Sequence, residues 1–233
     1  MTVPAMQGRL AAIRRFAAGL QTRRLPASGQ RRLPIYGQRR SLQTRRAAPH
    51  RMLELVLVRH GESEGNIAYR RSVQGDTSLY SGKFLTRHSS LWRLTDTGRA
   101  QAAEAGAWLE KHAAPTFDAF YTSEYLRAME TAGLLRLDGA SWKTECNLRE
   151  RDWGAWDLTP PSRRFEPEDA RRKRHGLYFA PSGGESLAQV LLRVDSMLEF
   201  LHRHMVDRRV LMVCHGEIMW AFRLRFERLN QIT

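Results

Sequence analysis

Two aliphatic runs in this chain end in the same way, and that constrains its fold more than any other feature. Residues 53–58, Leu-Glu-Leu-Val-Leu-Val, lead into Arg59-His60-Gly61-Glu62; residues 209–213 lead into Cys214-His215-Gly216-Glu217. Each run has the length and the aliphatic character of a strand buried on both faces, as in a parallel sheet covered by helices. Each would carry an imidazole to its C-terminal end, where open α/β sheets bind their ligands. One strand-end histidine is commonly structural. Two of them, each followed by Gly-Glu, can flank a single pocket if their strands lie side by side in the sheet. A length of 233 residues gives room for one such domain plus an appendage.

The charge distribution locates the appendage. Residues 1–53 hold twelve arginines and no Lys, Asp or Glu. The whole chain has 38 basic and 24 acidic residues, so the remainder carries 26 against 24 and is close to neutral. A nucleic-acid-binding enzyme normally shows its basic patch on the folded body. Here it sits in a tail with Arg pairs at 23–24, 31–32, 39–40 and 45–46, separated by Pro and Gly. Such a low-complexity segment has too little apolar content to offset the entropy of ordering, and residues 1–51 are expected to be disordered. Leu10, Ile13, Ala17 and Leu20 keep helical spacing beside Arg9, Arg14 and Arg15, an acid-free, moderately amphipathic start that matches an organelle transit peptide. Mitochondrion or plastid is the expected location, with the cytoplasm as alternative. A basic arm that meets nucleic acid or a large complex is the competing reading. Two cysteines rule out a disulfide scaffold, and no apolar run approaches the ~20 residues of a membrane-spanning helix.

Between the two strand ends, further elements fall in a fixed order. They are Arg59-His60-Gly61-Glu62-Ser63-Glu64-Gly65-Asn66, Leu94-Thr95-Asp96-Thr97-Gly98, and Ser123-Glu124-Tyr125-Leu126-Arg127-Ala128 with Thr131-Ala132. Leu148-Arg149-Glu150-Arg151-Asp152-Trp153-Gly154, Gly183-Gly184-Glu185-Ser186 and Cys214-His215-Gly216 follow. Taken together, residues 52–233 resemble the histidine phosphatase superfamily, whose fold is phosphoglycerate mutase-like. The resemblance implies an α/β domain, a three-layer α/β/α sandwich with a mostly parallel sheet.

It also implies roles. His60 would be the nucleophile that accepts a phosphoryl group, which suits an imidazole whose ordinary pKa is ~6.5. Arg59 and Arg127 would clamp the phosphoryl oxygens with guanidinium forks, and His215 would donate to the same oxygens. Asn66 would add an amide donor and Ser63 a hydroxyl. Glu150 would be the general acid, with a pKa raised towards neutrality. Glu145, Asp152 and Asp157 lie close by in sequence, and it is the alignment of Leu148–Gly154 that selects Glu150. Ser182, Glu185 and Ser186 read as caps for a helix over 187–204, Trp153 and Trp156 as core or rim aromatics, and Cys214 as an inert buried thiol. No zinc-like spacing, P-loop or dinucleotide fingerprint occurs, so neither metal nor cofactor is expected.

Within the family, mutases and phosphatases share one pocket. The short, Pro-rich stretch from Glu150 to Gly183 favours a phosphomonoester hydrolase; a cofactor-dependent phosphoglycerate-type mutase is the alternative, as is a structural subunit of an organellar RNA-rich complex that kept the fold. The expected partner is a phosphorylated substrate, small molecule or phosphoprotein. Residues 67–93 are long enough for a lid. The run Arg171-Arg172-Lys173-Arg174 suits either a second acidic group on the substrate or a solvated helix face. Residues 218–229 read as a last helix, with no family edge strand after it, which leaves a sheet edge open or covered by a partner.

Overall fold

The computed structural model describes residues 14–17, 54–113, 117–164 and 166–227. Its centre is a sheet of four parallel strands, β2 (Glu54–Arg59), β5 (Arg209–Cys214), β3 (Ala119–Thr122) and β4 (Trp142–Thr144), in that spatial order. β2 and β5 are direct neighbours in register, with Arg59 opposite Cys214, so His60 and His215 leave the sheet side by side. The condition set by the paired strand ends is met.

Alternation along the strands explains the three layers. Leu55 and Leu57 of β2, with Val210 and Met212 of β5, face α5 (Leu187–His204) and α6 (Gly216–Phe226). Val56 and Val58, with Leu211 and Val213, face α2 (Asp96–His112) and α3 (Leu126–Leu134). Both faces of the central strands are therefore buried, as their uninterrupted aliphatic character requires. The helix predicted over 187–204 is α5, with Val190, Leu191, Val194, Met197 and Leu201 inward. Its cap is Ser186, whose side chain accepts from the Gln189 N–H while the Gln189 side chain accepts from the Ser186 N–H. Ser182 is not a cap: its carbonyl accepts from the Ala155 N–H instead. The last helix begins at Gly216, earlier than expected, and residues 228–233 lie outside those described.

Residues 67–93 are mostly exposed, held by a small buried cluster. After α1 (Glu64–Val73), Phe84 stacks on Trp92 with centroids 4.6 Å apart, and both bury against Ala68. Gly65 is required there, since a Cβ would stand 2.3 Å from the Trp92 ring. The exposed residues 170–175 of α4 (Glu166–His175) include the whole basic run, which makes no ion pair among the described residues.

The extension supplies one correction. Of residues 1–51, only 14–17 are described, and they form neither disordered chain nor a helical turn: β1 (Arg14–Ala17) is a strand antiparallel to β2, Phe16 opposite Leu55. The outer edge of β2 carries unpaired backbone donors and acceptors, and a strand laid along it satisfies them whatever its side chains. The edge expected to be open is therefore covered by the chain itself. The remainder of the Arg-rich segment, and with it the transit-peptide reading, lies outside the described residues.

Candidate active site

The strand β2 ends by delivering Arg59 and His60. The His60 N–H extends the ladder to the Cys214 carbonyl at 3.0 Å, which fixes the backbone of the nucleophile candidate to the neighbouring strand. Its imidazole is buried, and Nδ1 lies 2.7 Å from the Gly61 carbonyl. A carbonyl can only accept, so Nδ1 carries the proton and Nε2 keeps its lone pair. That lone pair accepts from Arg127 Nε at 3.3 Å. Burial first, then the charges of Arg127 and Arg59, hold the His60 pKa well below its ordinary value, so the ring is neutral at neutral pH.

The turn after His60 is made by close backbone approach. A Cβ on Gly61 would stand 2.2 Å from the Gly98 carbonyl oxygen, and one on Gly98 would stand 2.0 Å from the Glu62 oxygen. The start of α2, capped by Thr95, is thereby pressed against the histidine loop. α3 reaches in from the other side. Arg127, on its first turn, is 5% exposed, and its NH1 donates to the Ser89 carbonyl at 2.6 Å. Thr131 joins the two elements: its hydroxyl donates to the Arg127 carbonyl at 2.7 Å and accepts from the Gly61 N–H at 3.1 Å.

His215, at the end of β5, is fully buried, with its ring centroid 4.9 Å from that of His60. Its Nε2 lies 2.8 Å from the Ser123 hydroxyl, which also accepts from the Tyr125 N–H. Among the described residues the Ser123 hydroxyl proton has no acceptor other than Nε2, so the hydroxyl donates to Nε2, which leaves the proton of the neutral ring on Nδ1. Nδ1 is buried without a partner. Burial and Arg127 hold this imidazole neutral as well. The Arg59 guanidinium lies over Gly216, its Cζ 3.7 Å from where a Cβ at that position would stand.

Glu150 enters from the loop after β4. Burial pushes its pKa up to about 7, Glu217 adding to the rise while Arg127, the Arg151 N–H and Arg59 oppose it. The N–H of Arg151 donates to Glu150 Oε1 at 2.9 Å. Asn66 and Ser63 form the cap of α1. The Ser63 hydroxyl donates to Asn66 Oδ1 and accepts from the Asn66 N–H, and the Ser63 N–H also donates to Oδ1 at 3.0 Å. This commits the Ser63 hydroxyl to helix capping and turns Oδ1 of Asn66 inward, leaving the Asn66 amide nitrogen as the donor available to a ligand. Cys214 is buried on the β5 strand, and burial pushes its thiol far up, as expected of an inert residue.

His60, His215, Arg59, Arg127 and Glu150 thus act on one another electrostatically within a single cluster at the carboxyl ends of β2 and β5. Ser123, Thr131 and Glu217 belong to it too and were not singled out from the sequence. Ser123 and Thr131 sit inside the Ser123–Ala132 motif, and Glu217 follows His215-Gly216, so position near a motif was the available signal. Among the described residues, no group of three His, Cys, Asp or Glu side chains could hold a metal ion.

Known proteins share this arrangement of elements. Residues 55–231 match the family model of the histidine phosphatase superfamily, branch 1. A 2,3-bisphosphoglycerate-dependent phosphoglycerate mutase of Azorhizobium caulinodans is 33% identical over 190 residues, covering 76% of this chain and 82% of that protein. The phosphoglycerate mutase-like protein AT74 of Arabidopsis thaliana is 36% identical over 164 residues, which are 64% of this chain and 46% of the relative, so the chain spans about half of that protein. Among solved structures, a mycobacterial glucosyl-3-phosphoglycerate phosphatase superposes with a TM-score of 0.58 at 25% identity, covering 76% of this chain and 82% of that one. With a family model spanning both strand-end histidines and everything between them, this chain belongs to the histidine phosphatase superfamily.

Proposed function

We propose that the chain hydrolyses phosphomonoesters through a phosphohistidine on His60. The observation that carries this reading is the pair of neutral, buried imidazoles with complementary hydrogen-bonding faces. His60 offers a lone pair at Nε2, and His215 offers an N–H at Nδ1. In the first step Nε2 of His60 attacks phosphorus, and the bond from phosphorus to the ester oxygen breaks. The departing oxygen takes the proton of Glu150, whose pKa near 7 keeps a large protonated fraction at neutral pH. Arg59, Arg127, His215 Nδ1–H and the Asn66 amide hold the three phosphoryl oxygens and stabilise the charge they gather. In the second step the Glu150 carboxylate takes a proton from water, the water oxygen attacks phosphorus, and the bond to His60 breaks, releasing inorganic phosphate.

The mutase relatives favour a second reading, in which the same phosphohistidine passes its phosphoryl group to a phosphoglycerate-type acceptor rather than to water. The two readings share the first step and differ in the acceptor. The test is phosphate release from an aryl phosphate at pH 5–8, with chelator present, by wild type and His60→Ala, beside a bisphosphate-dependent isomerisation assay. Chelator-insensitive release that His60→Ala abolishes supports the hydrolase. Isomerisation with little net release would replace it by the mutase. Neither activity in folded protein would overturn both.

A further inference from the structure

The loop that presents Glu150 is held on its two flanks by the two partners of one ion pair, Arg193 of α5 and Glu185. Arg193 of α5 donates through NH1 to the Asn147 carbonyl at 2.8 Å and to the Arg149 carbonyl at 3.2 Å, just ahead of Glu150. Its Nε and NH2 clamp both oxygens of Glu185 at 3.0 and 2.9 Å. Glu185 in turn accepts from the Asp152 N–H at 3.0 Å, just beyond Glu150, and its own N–H donates to the Asp152 carbonyl at 2.7 Å. Both side chains are largely buried, 13% and 15% exposed, so solvent competes little for these bonds. Arg151 closes the frame, Nε on the Glu185 carbonyl at 2.9 Å and NH2 on the Phe179 carbonyl at 2.8 Å. Gly184 and Gly154 allow the segments to meet: a Cβ on the first would stand 2.6 Å from the Asp152 oxygen, one on the second 2.2 Å from the Ser182 oxygen.

We propose that Arg193 and Glu185 are positioning residues for the general acid, a strut that holds the Glu150 carboxyl where the leaving oxygen departs. The strut's hydrogen bonds to the loop go to backbone groups at 147, 149 and 152, with a side-chain ion pair from Arg149 to Glu185, and none of them engages the Glu150 carboxyl. Glu185 is thereby not a helix cap. The proposal rests on the reading of Glu150 as acid, and leaving-group dependence separates the two. An aryl alcohol departs without help, whereas an alkyl alcohol needs a proton, so kcat/KM for alkyl phosphates depends on the acid and for aryl phosphates does so weakly.

The experiment measures kcat/KM for an aryl and an alkyl phosphate with wild type, Glu150→Gln, Arg193→Ala, Arg193→Lys, Glu185→Gln and the double variant Glu150→Gln/Arg193→Ala. The expected result is a loss of roughly 30–100-fold on the alkyl ester for Arg193→Ala, with about 3-fold or less on the aryl ester, because a displacement near 1 Å costs on that order. Arg193→Lys keeps the charge but loses the fork and should recover part of the activity, while the double variant should be no worse than Glu150→Gln alone. Equal losses on both esters, or losses that add to that of Glu150→Gln, would overturn the strut. If Arg193→Ala does not fold, Arg193→Lys and Glu185→Gln carry the same comparison. A Glu150→Gln variant with no leaving-group preference would instead overturn the acid assignment itself.

Discussion

The two histidines share a local sequence, a strand end, deep burial, a neutral ring and the Nδ1–H tautomer, yet the fold engages opposite nitrogens of the two rings. His60 spends its Nδ1 proton on the adjacent Gly61 carbonyl, one residue away, and is left with a nucleophilic Nε2. His215 accepts at Nε2 from Ser123, 92 residues away, and is left with a donor at Nδ1. What the remaining nitrogen offers is set by which nitrogen the protein engages, so the same residue serves as attacker in one place and as charge stabiliser in the other. One choice is local and the other tertiary.

The comparison breaks most severely at His60. His60→Ala should lower phosphate release by about 10⁴-fold or more and abolish acid-labile labelling of the protein, and His60→Asn should recover nothing, because an amide is no nucleophile. His215→Ala should cost roughly 10²–10³-fold, the range for one preorganised donor, and here His215→Asn should recover part, since an amide N–H can stand in for the ring N–H. Equal behaviour of the two Asn variants in steady-state assays would end the distinction. Ser123→Ala should cost on the order of 10-fold by freeing the His215 tautomer. Nitrogen NMR should then show the His215 proton divided between its ring positions while the His60 ring is unchanged.

The smallest effect concerns pH. Ionisation of Glu150 near pH 7 should form the alkaline limb of kcat/KM for alkyl phosphates. Glu217→Gln removes a negative neighbour and should move that limb to lower pH, a few-fold loss at pH 7.5; an unmoved limb would exclude Glu217 as its cause. Stability should respond with opposite signs at the two kinds of site. Both imidazoles have folded pKa values below the ~6.5 of the unfolded chain, so the unfolded state binds more protons as pH falls, and their contribution is present above that value and lost below it. Glu150 has a raised folded pKa, so its contribution is present below its unfolded value, ~4.3, and lost as pH rises towards 7. Urea unfolding across pH 5–8 with His215→Asn and Glu150→Gln separates the two slopes.

Much of this was legible in the chain, because it is written in short-range patterns. The aliphatic runs fixed β2 and β5, the 3.6-residue spacing placed α5 at Leu187–His204, and ordered motifs picked out Arg59, His60, Arg127, Glu150 and His215. Sequence periodicity reports burial, and burial dictates strands and helices. Other features escaped it. Ser182 read as a possible cap beside Ser186, and the Ser186–Gln189 capping box told them apart. Ser63 read as a phosphate ligand, but its hydroxyl closes the α1 cap. Glu185 read as a cap, but Arg193 lies within bonding reach only once α5 docks. The tertiary structure alone decided which nitrogen of His215 carries its proton, how far burial lifts Glu150, and what holds its loop. Those properties depend on partners dozens of residues away and on the exclusion of water, which exist only after the layers have packed.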